Sequence, residues 1–493
     1  MNPTGQEVDE ELDGLLDRLV SLAEDPSLLV KSSRSTPSSS EVHRLGPPDR
    51  GEELYISDEQ AVSGRESASP ASGRFFPLAP RTLAETHVGE SDVEAIILRY
   101  LMLRGSTKGV EIAQQIGLQF AVVEKIFHAL KARRLVAHKS AGNLTDYVYE
   151  ITEAGASRIR QHSAHCSYCG TVPVSLPDYE ASVAAQSLSK LQPTFEDLQR
   201  AFSDLTLSQE MFCRLGLAIT SGKGLFLHGR PGNGKTSVAE RITSVYGTTI
   251  WIPRVISVCG EIIRVFDPSC HEEMPLAKGD RIVDDEKVDH RWVRIRRPTI
   301  VVGGELTMKN LELTTNEDIG VSEAPVQMKS NCGTLVIDDF GRQQIAPAEL
   351  LNRWIVPLEK RYDYLGLASG RKFCVPFDQF IVFSTNLEPK DLVDEAFLRR
   401  IPYKIEIENP SASQFRALFE RTCEKMGLEF REAAFDKLVA KHYEQAHREM
   451  RFCHPRDLLH QAAIFCKFLK LPPAASAEAL EIAAKNFFST TGF

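Results

Sequence analysis

The sequence predicts an α/β fold, and three short apolar segments that each end in polar residues predict it. The first, at 225–227, runs into a glycine-rich loop and then a helix. The second, at 335–337, ends in two aspartates, and the third, at 380–383, ends in Ser-Thr-Asn. Apolar runs of this length are typical of buried strands. In open α/β sheets, ligands lie at the carboxyl ends of such strands.

The chain begins with a segment, 1–80, that is predicted to be a mostly disordered acidic tail. It holds 15 acidic and 7 basic residues, a net of −8 out of −9 for the whole chain. Its Ser- and Pro-rich stretches bury too little apolar surface to offset chain entropy. A short amphipathic helix, docked on its own protein or bound to a partner, is predicted by the spacing of Leu12, Leu15, Leu16, Leu19 and Leu22.

Charge and hydropathy restrict the class of protein. Without the tail the chain is nearly neutral, which excludes a protein that coats nucleic acid broadly. No apolar run approaches the roughly 20 residues that span a bilayer. The N-terminus is acidic where a secretory signal would be basic and then apolar. We therefore expect a cytoplasmic protein without a membrane partner.

The segment 91–162 is predicted to contain helices followed by a two-stranded hairpin, an order that resembles a winged-helix domain. In DNA-binding winged helices the third helix enters the major groove. Lys131, Arg133 and Arg134 end this helix and could contact phosphates. Glu124 on the same helix would face phosphate badly, and winged helices also dock proteins. DNA binding and protein docking both stay open, with purely structural support as a third option.

The strongest signal is the loop 229–236, which matches GxxxxGK[ST] between a strand and a helix. Its glycines let backbone N–H groups approach phosphate oxygens, and the helix N-terminus adds its positive dipole end. Lys235 is predicted to reach the β- and γ-phosphates, and the Thr236 hydroxyl to bind Mg²⁺. The predicted nucleotide-binding residues are Gly229, Arg230, Pro231, Gly232, Asn233, Gly234, Lys235, Thr236 and Ser237.

Polar residues at the ends of the other two strands complete the predicted site. Asp338 is expected to share the Mg²⁺ ion with Thr236, and Asp339 to position the attacking water. Asn386 can orient the same water beside the γ-phosphate. Between the loop and the aspartates, the segment 251–330 alternates β-branched residues with glycine breaks, which predicts inserted strands. Such an insertion either faces a pore or partner, or simply packs.

This set of motifs, in this order, resembles the AAA+ ATPases over 191–493. The resemblance gives Asn386 the role of sensor 1, Arg399 or Arg400 that of the arginine finger, and Arg456 that of sensor 2. Asp339 stands where many relatives carry the longer glutamate. The domains expected are a tail at 1–80, a winged helix at 91–162, a connector packed extended at 163–192, a P-loop αβα sandwich at 193–408 with the insertion 251–330, and a helical lid at 409–493.

The resemblance also implies assembly and activity. AAA+ ATPases form rings, commonly hexamers, with ATP between subunits and the arginine finger acting in trans. The whole arrangement is similar to bacterial predicted ATPases with chaperone-like activity. We therefore expect an ATP hydrolase that uses ATP and Mg²⁺ to remodel a macromolecular partner, with a protein client or DNA bound through the winged helix.

Two alternative functions remain open. One is a DNA-binding ATPase that acts in transcription, replication or mobile-element control. The other is a slow ATP-dependent conformational switch. It is suggested by Asp339, whose side chain is shorter than glutamate and could make hydrolysis slow.

Overall fold

The computed structural model describes residues 75–141, 147–162, 166–275, 287–393 and 395–488. The predicted acidic tail lies outside these residues up to position 74, and so does its leucine-spaced helix. Within the described ranges, no helix is both long enough and apolar enough to cross a bilayer.

The first folded part packs helices on a small antiparallel sheet in which β3 (Tyr147–Ile151) lies between β1 (Ser106–Lys108) and β2 (Val136–Ala141). Ile97, Val123 and Phe127 lie in its core. The helices and the hairpin lie where the sequence predicts them, and β1 is too short to give a periodic signal. The elements are α1 (Glu90–Arg104), β1 (Ser106–Lys108), α2 (Gly109–Ile116), α3 (Phe120–Ala132), β2 (Val136–Ala141), β3 (Tyr147–Ile151) and α4 (Glu153–His162).

The segment 163–192, expected to be an extended connector, is folded in its described part. It contains β4 (Val174–Ser175) and α5 (Leu176–Gln186). The hydroxyl of Ser175 accepts a hydrogen bond from the Asp178 N–H at 3.2 Å and caps α5. The prediction of an extended connector is wrong because a proline near the start of a helix favours that helix instead of breaking it.

Helices and strands alternate through the next part of the chain. Its first half contains α6 (Phe195–Ala201), α7 (Gln209–Ser221), β5 (Leu225–His228), α8 (Lys235–Val245), β6 (Thr249–Pro253), β7 (Val255–Val258), β8 (Glu261–Arg264), β9 (Trp292–Arg296) and β10 (Thr299–Val302). Its second half contains β11 (Thr314–Asn316), β12 (Val321–Glu323), α9 (Val326–Lys329), β13 (Thr334–Ile337), α10 (Pro347–Arg353), α11 (Ile355–Lys360), β14 (Tyr362–Gly366), β15 (Lys372–Pro376), β16 (Phe380–Ser384), α12 (Pro389–Leu392), α13 (Glu395–Leu398) and β17 (Tyr403–Glu406).

An all-parallel sheet with the strand order β10-β13-β16-β5-β17 forms the centre of this part. Helices cover both of its faces, and its three middle strands, β13, β16 and β5, are buried throughout. Leu225 and Leu227 of β5 pack on one face against α7 and α8, while Phe226 packs on the other face near Trp354. The chain is therefore α/β as predicted, and the strands β13, β16 and β5 that carry the motifs are neighbours.

The insertion predicted at 251–330 requires a correction. Its strand β10 pairs in parallel with β13 and forms an edge of the central sheet, so it is not inserted. The other strands, together with β4 from outside this segment, form a mixed sheet in the order β11-β12-β8-β7-β4, and β6 and β9 form a separate antiparallel pair. The sequence of β10 resembles that of its inserted neighbours in β-branched content, and only its pairing with β13 distinguishes it.

The core of the inserted region recruits elements from outside 251–330. Tyr179 and Val183 of α5 are buried in it, and so are Leu365 and Phe373 of the hairpin β14–β15. The carboxylate of Glu261 accepts hydrogen bonds from two backbone N–H groups at the hairpin tip, at 3.1 and 3.0 Å. The inserted region therefore packs against the hairpin β14–β15, which directly precedes β16 in the chain.

The C-terminal part is helical, as predicted, and has its own core around Phe415 and Phe419. A capping box between Ser411 and Gln414 fixes the start of its first helix. A π-helical turn, Ala440–Glu444, follows the second helix. The helices are α14 (Ala412–Met426), α15 (Glu432–Val439), α16 (His454–Leu469) and α17 (Ala477–Phe488).

A buried ion pair joins the first folded part to the inserted region. A guanidinium nitrogen of Arg291 lies 2.8 Å from a carboxylate oxygen of Asp289, and the two side chains are 4% and 3% exposed. The same guanidinium lies 3.3 Å from the carbonyl oxygen of Thr86 and 3.4 Å from that of Pro173. Segments on both sides of α1–α4 are therefore held by one cation.

We predict that Arg291→Ala lowers the free energy of unfolding by about 3–5 kcal/mol, because Asp289 would be left buried without a counter-ion. The matched control is Arg296→Ala on β9, whose guanidinium lies 3.2 Å from Glu272 with both side chains well exposed. Loss of that exposed pair should cost about 0–1 kcal/mol. Urea unfolding followed by tryptophan fluorescence measures the free energy of unfolding of both variants. Equal losses in the two variants would contradict the role of Arg291 in joining the two parts.

Candidate functional site

The carboxyl ends of β5, β16 and β13 are joined by hydrogen bonds. The Thr385 N–H, just after β16, donates to the carbonyl oxygen of Leu227 at 2.9 Å, and its hydroxyl donates to that of Phe340 at 2.9 Å. The Phe340 N–H donates to the carbonyl oxygen of Ser384 at 2.7 Å. These bonds fix the loops that follow the strands against one another.

Lys235 lies at the centre of this edge and is only 6% exposed. Its ammonium group donates to the carbonyl oxygens of Gly229 at 2.9 Å and Arg230 at 3.0 Å, and to the amide oxygen of Asn386 at 2.7 Å. A buried ammonium has three donors, and here each meets an acceptor. The predicted phosphate-binding lysine and the predicted sensor 1 residue are therefore in direct contact.

Burial and charge act in opposite directions on this lysine. Burial lowers the pKa of Lys235 from its ordinary value, while the carboxylates of Asp338 and Asp339 oppose that shift and Arg451 adds to it. A cation in such a place is stabilised by anions. Binding of a phosphate would supply the strongest of them.

Asn386 also contacts the second aspartate of the motif. Its amide nitrogen donates to a carboxylate oxygen of Asp339 at 2.8 Å, so Asn386 bridges Lys235 and Asp339. Asp339 is exposed and adopts a left-handed backbone conformation, with a φ of 48°. Backbone strain of this kind clusters at functional sites.

The first aspartate pairs with the threonine of the loop. The Thr236 hydroxyl donates to a carboxylate oxygen of Asp338 at 2.9 Å. A hydroxyl and a carboxylate this close fit a Mg²⁺ ion, which takes oxygen ligands and usually keeps waters and substrate phosphates in its shell. Both residues predicted to bind the metal are thus together.

The shape of the loop depends on glycine at two positions. Gly229 has a φ of 134°, and a Cβ atom there would lie 2.5 Å from the carbonyl oxygen of Ile407. Gly232 has a φ of 86°, and a Cβ atom there would lie 2.6 Å from the sulfur of Cys453. Both backbone conformation and space therefore exclude a side chain.

Asn233, predicted to bind nucleotide, instead holds the loop to the segment between β17 and α14. Its amide nitrogen lies 3.3 Å from the carbonyl oxygen of Ile407, 3.2 Å from that of Glu408 and 2.9 Å from the side-chain oxygen of Asn409. Its side chain is buried. The loop and the start of the C-terminal helices are thereby coupled.

The other predicted loop residues have less specialised surroundings. Gly234 precedes α8 with a φ of 84°, and Pro231 is exposed. Ser237 lies in the first turn of α8, where its carbonyl oxygen accepts a hydrogen bond from Arg241 at 3.1 Å. The side chain of Arg230 is 66% exposed.

The sequence analysis missed three residues that lie just before α16 and contact the loop. They belong to the segment 449–453, which is more than 200 residues after the loop in the chain and carries no recognisable motif. The contacts join Arg230 to Glu449 at 3.8 Å, the Pro231 carbonyl oxygen to the Arg451 guanidinium at 3.4 Å, and the Gly232 carbonyl oxygen to the Cys453 N–H at 2.9 Å.

The three arginines expected to stabilise developing charge lie outside this network in the part of the chain that the structure describes. Arg399 is exposed, and Arg400 pairs with Glu359 at 2.7 Å. The side chain of Arg456 is 75% exposed and pairs with Asp457 at 2.8 Å. Within one chain, then, the network around Lys235 contains none of them.

Comparison with protein families identifies the C-terminal helices alone. Residues 411–486 match a family described as a domain of unknown function, DUF8689. The match spans α14, α15 and α16 and ends within α17. No curated protein matches the chain significantly.

Solved structures to which the chain is similar include RuvB of Thermotoga maritima, titled a Holliday junction branch migration motor, and NtrX of Brucella abortus in complex with ATP. The RuvB match has 13% identity, covers 59% of this chain and 73% of that chain, and has a TM-score of 0.34. The NtrX match has 14% identity, covers 57% of this chain and 56% of that chain, and has a TM-score of 0.36. Superpositions this loose give no residue a role.

Proposed function

We propose that this chain is an ATP hydrolase of the AAA+ type. The observation that carries the proposal is the network in which Lys235 contacts Asn386, Asn386 contacts Asp339, and Thr236 contacts Asp338. These side chains come from the ends of three neighbouring parallel strands. Each of these side chains has the chemistry that phosphoryl transfer requires at its position.

The residues divide the chemistry between them. Lys235 binds the β- and γ-phosphates once it leaves the loop carbonyls, and the loop N–H groups and the α8 N-terminus bind the remaining phosphate charge. Thr236 and Asp338 would hold Mg²⁺, which would supply positive charge against the phosphates when bound. Asp339 accepts the proton of the attacking water, and Asn386 orients that water.

The ring remains part of the proposal, because neither Arg399 nor Arg400 contacts the Lys235 network of its own chain within the described residues. Arg400 is already paired with Glu359 on the same chain. Arg399, next to it, is exposed and makes no side-chain ion pair within the described ranges. We therefore favour Arg399 as the finger that reaches the ATP of a neighbouring copy.

We infer that 91–162 is a winged-helix module and that it docks a protein. Arg133, one of the basic side chains expected near DNA phosphates, pairs with Glu94, and the nearby Lys139 lies 3.8 Å from Glu150. Pairing reduces the charge available for phosphate. This supports chaperone-like remodelling of a protein client over the DNA-coupled alternative, which duplex-stimulated ATP hydrolysis would revive.

A slow conformational switch is the second candidate function. Asp339 is shorter than glutamate by one methylene, and in the described state its carboxylate is hydrogen-bonded to Asn386. Hydrolysis then requires Asn386 and Asp339 to separate enough to admit water. ATP bound and retained over many minutes would favour this candidate.

We predict that Lys235→Ala lowers the affinity for Mg-ATP by about a hundredfold or more, because several charge-assisted bonds to phosphate are lost. The matched control is Lys223→Ala, an exposed lysine just before β5, which should bind as the wild type does. Isothermal titration calorimetry measures both. Equal affinity of Lys235→Ala and the wild type would refute the site.

We predict that Arg399→Ala reduces turnover by about a thousandfold while ATP binding is retained, since the finger acts on the transition state. Mixing this variant with Lys235→Ala should restore part of the turnover. An interface is complete where the nucleotide site of an Arg399→Ala subunit meets Arg399 of a Lys235→Ala neighbour, and the reverse order is inactive. Absence of recovery, together with a monomeric mass in saturating ATP by light scattering, would contradict the trans arrangement.

A further inference from the structure

The segment 449–453 covers the loop 229–236, the phosphate loop of the proposed site, from the side of the C-terminal helices. Its backbone is held there by the bond between the Cys453 N–H and the Gly232 carbonyl oxygen at 2.9 Å. The absence of a side chain at Gly232 is what leaves room for the Cys453 sulfur. The approach is therefore part of the packing and not an incidental surface contact.

Arg451 is a cation in this segment without a counter-ion. Within the described ranges it forms no ion pair, and its guanidinium lies 3.4 Å from the Pro231 carbonyl oxygen. The positive charge of Arg451 also lowers the pKa of the nearby Lys235 ammonium. Two cations that converge on one loop repel each other until an anion lies between them.

The start of α16 adds a second positive feature at the same place. The helix begins at His454, directly after Cys453, and no side chain caps its N-terminus. Its dipole favours an anion, although Pro455 has no N–H and the His454 N–H already donates to the carbonyl oxygen of Arg451 at 3.1 Å. Because α16 is 16 residues long, the dipole is that of a full helix.

Arg456, which the resemblance to AAA+ ATPases implies as sensor 2, has a different environment. It lies in the first turn of the same helix, but its side chain is 75% exposed and its guanidinium already pairs with Asp457. An exposed pair of this kind is weak, so position separates the two arginines: Arg451 contacts the loop at Pro231, and Arg456 has no hydrogen bond or ion pair to the loop within the described ranges.

We propose that Arg451 binds the terminal phosphates of the nucleotide together with Lys235, and that Arg456 does not. This inference rests on the proposed function, since it assigns a residue to the same site. It also gives the lid a direct way to detect phosphate. Phosphate that draws Arg451 inward must move the segment 449–453, and with it the start of α16.

Calorimetric titration of the full-length protein with Mg-ATP tests the assignment. Arg451→Met keeps the aliphatic length without charge, and it should weaken affinity by about ten- to a hundredfold. Arg451→Lys keeps the charge and should recover most of that loss. Arg456→Met, the matched control, should bind as the wild type does. Recovery by lysine would not follow if Arg451 merely packed against Pro231.

Two results would overturn the proposal: an Arg451→Met affinity within twofold of the wild type, or an equal loss in Arg456→Met. If Arg451→Met fails to fold, as judged by thermal melting, Arg451→Lys against Arg451→Gln gives the same comparison. Failure of the proposed function is distinguishable, since the wild type itself would then bind no nucleotide.

Discussion

A buried ammonium group constrains the arrangement of everything around the phosphate loop. Lys235 is 6% exposed, and a cation so placed is tolerated only where acceptors and anions surround it. The loop carbonyls and Asn386 provide the acceptors, while Asp338 and Asp339 provide the negative charge. Since these groups follow three separate strands, the neighbouring positions of β5, β16 and β13 are what makes the site possible.

The same loop connects the central sheet to the C-terminal helices. Asn233 binds the segment after β17, and Gly229 and Gly232 lack the side chains that would hold Ile407 and Cys453 away. Any shift of the loop therefore has to be accommodated by the helical part. In the other folded part, Arg291 joins the segments that flank α1–α4 to the inserted region, so a partner docked on α1–α4 would be coupled to that region.

The sequence predicted the local features of the site well, because a strand, a glycine-rich loop and a helix are encoded within a few residues. Lys235, Thr236, Asp338 and Asn386 come together as their motifs imply. What it could not provide were contacts between distant segments. Arg451 lies in a loop without a motif, β10 looks like its inserted neighbours, and Pro177 lies in the first turn of α5 where an extended connector was expected. Each depends on tertiary pairing and not on local pattern.

Steady-state hydrolysis of saturating Mg-ATP by the wild type and by Asp339→Asn tests whether this network is catalytic. Asparagine keeps the size of the side chain and can still bond to Asn386, but it cannot accept a proton from water. If the network hydrolyses ATP, the wild type turns over and the variant is slower by about 10²–10⁴-fold while still binding ATP. Equal turnover in the two proteins would mean that hydrolysis, if present, does not use this site.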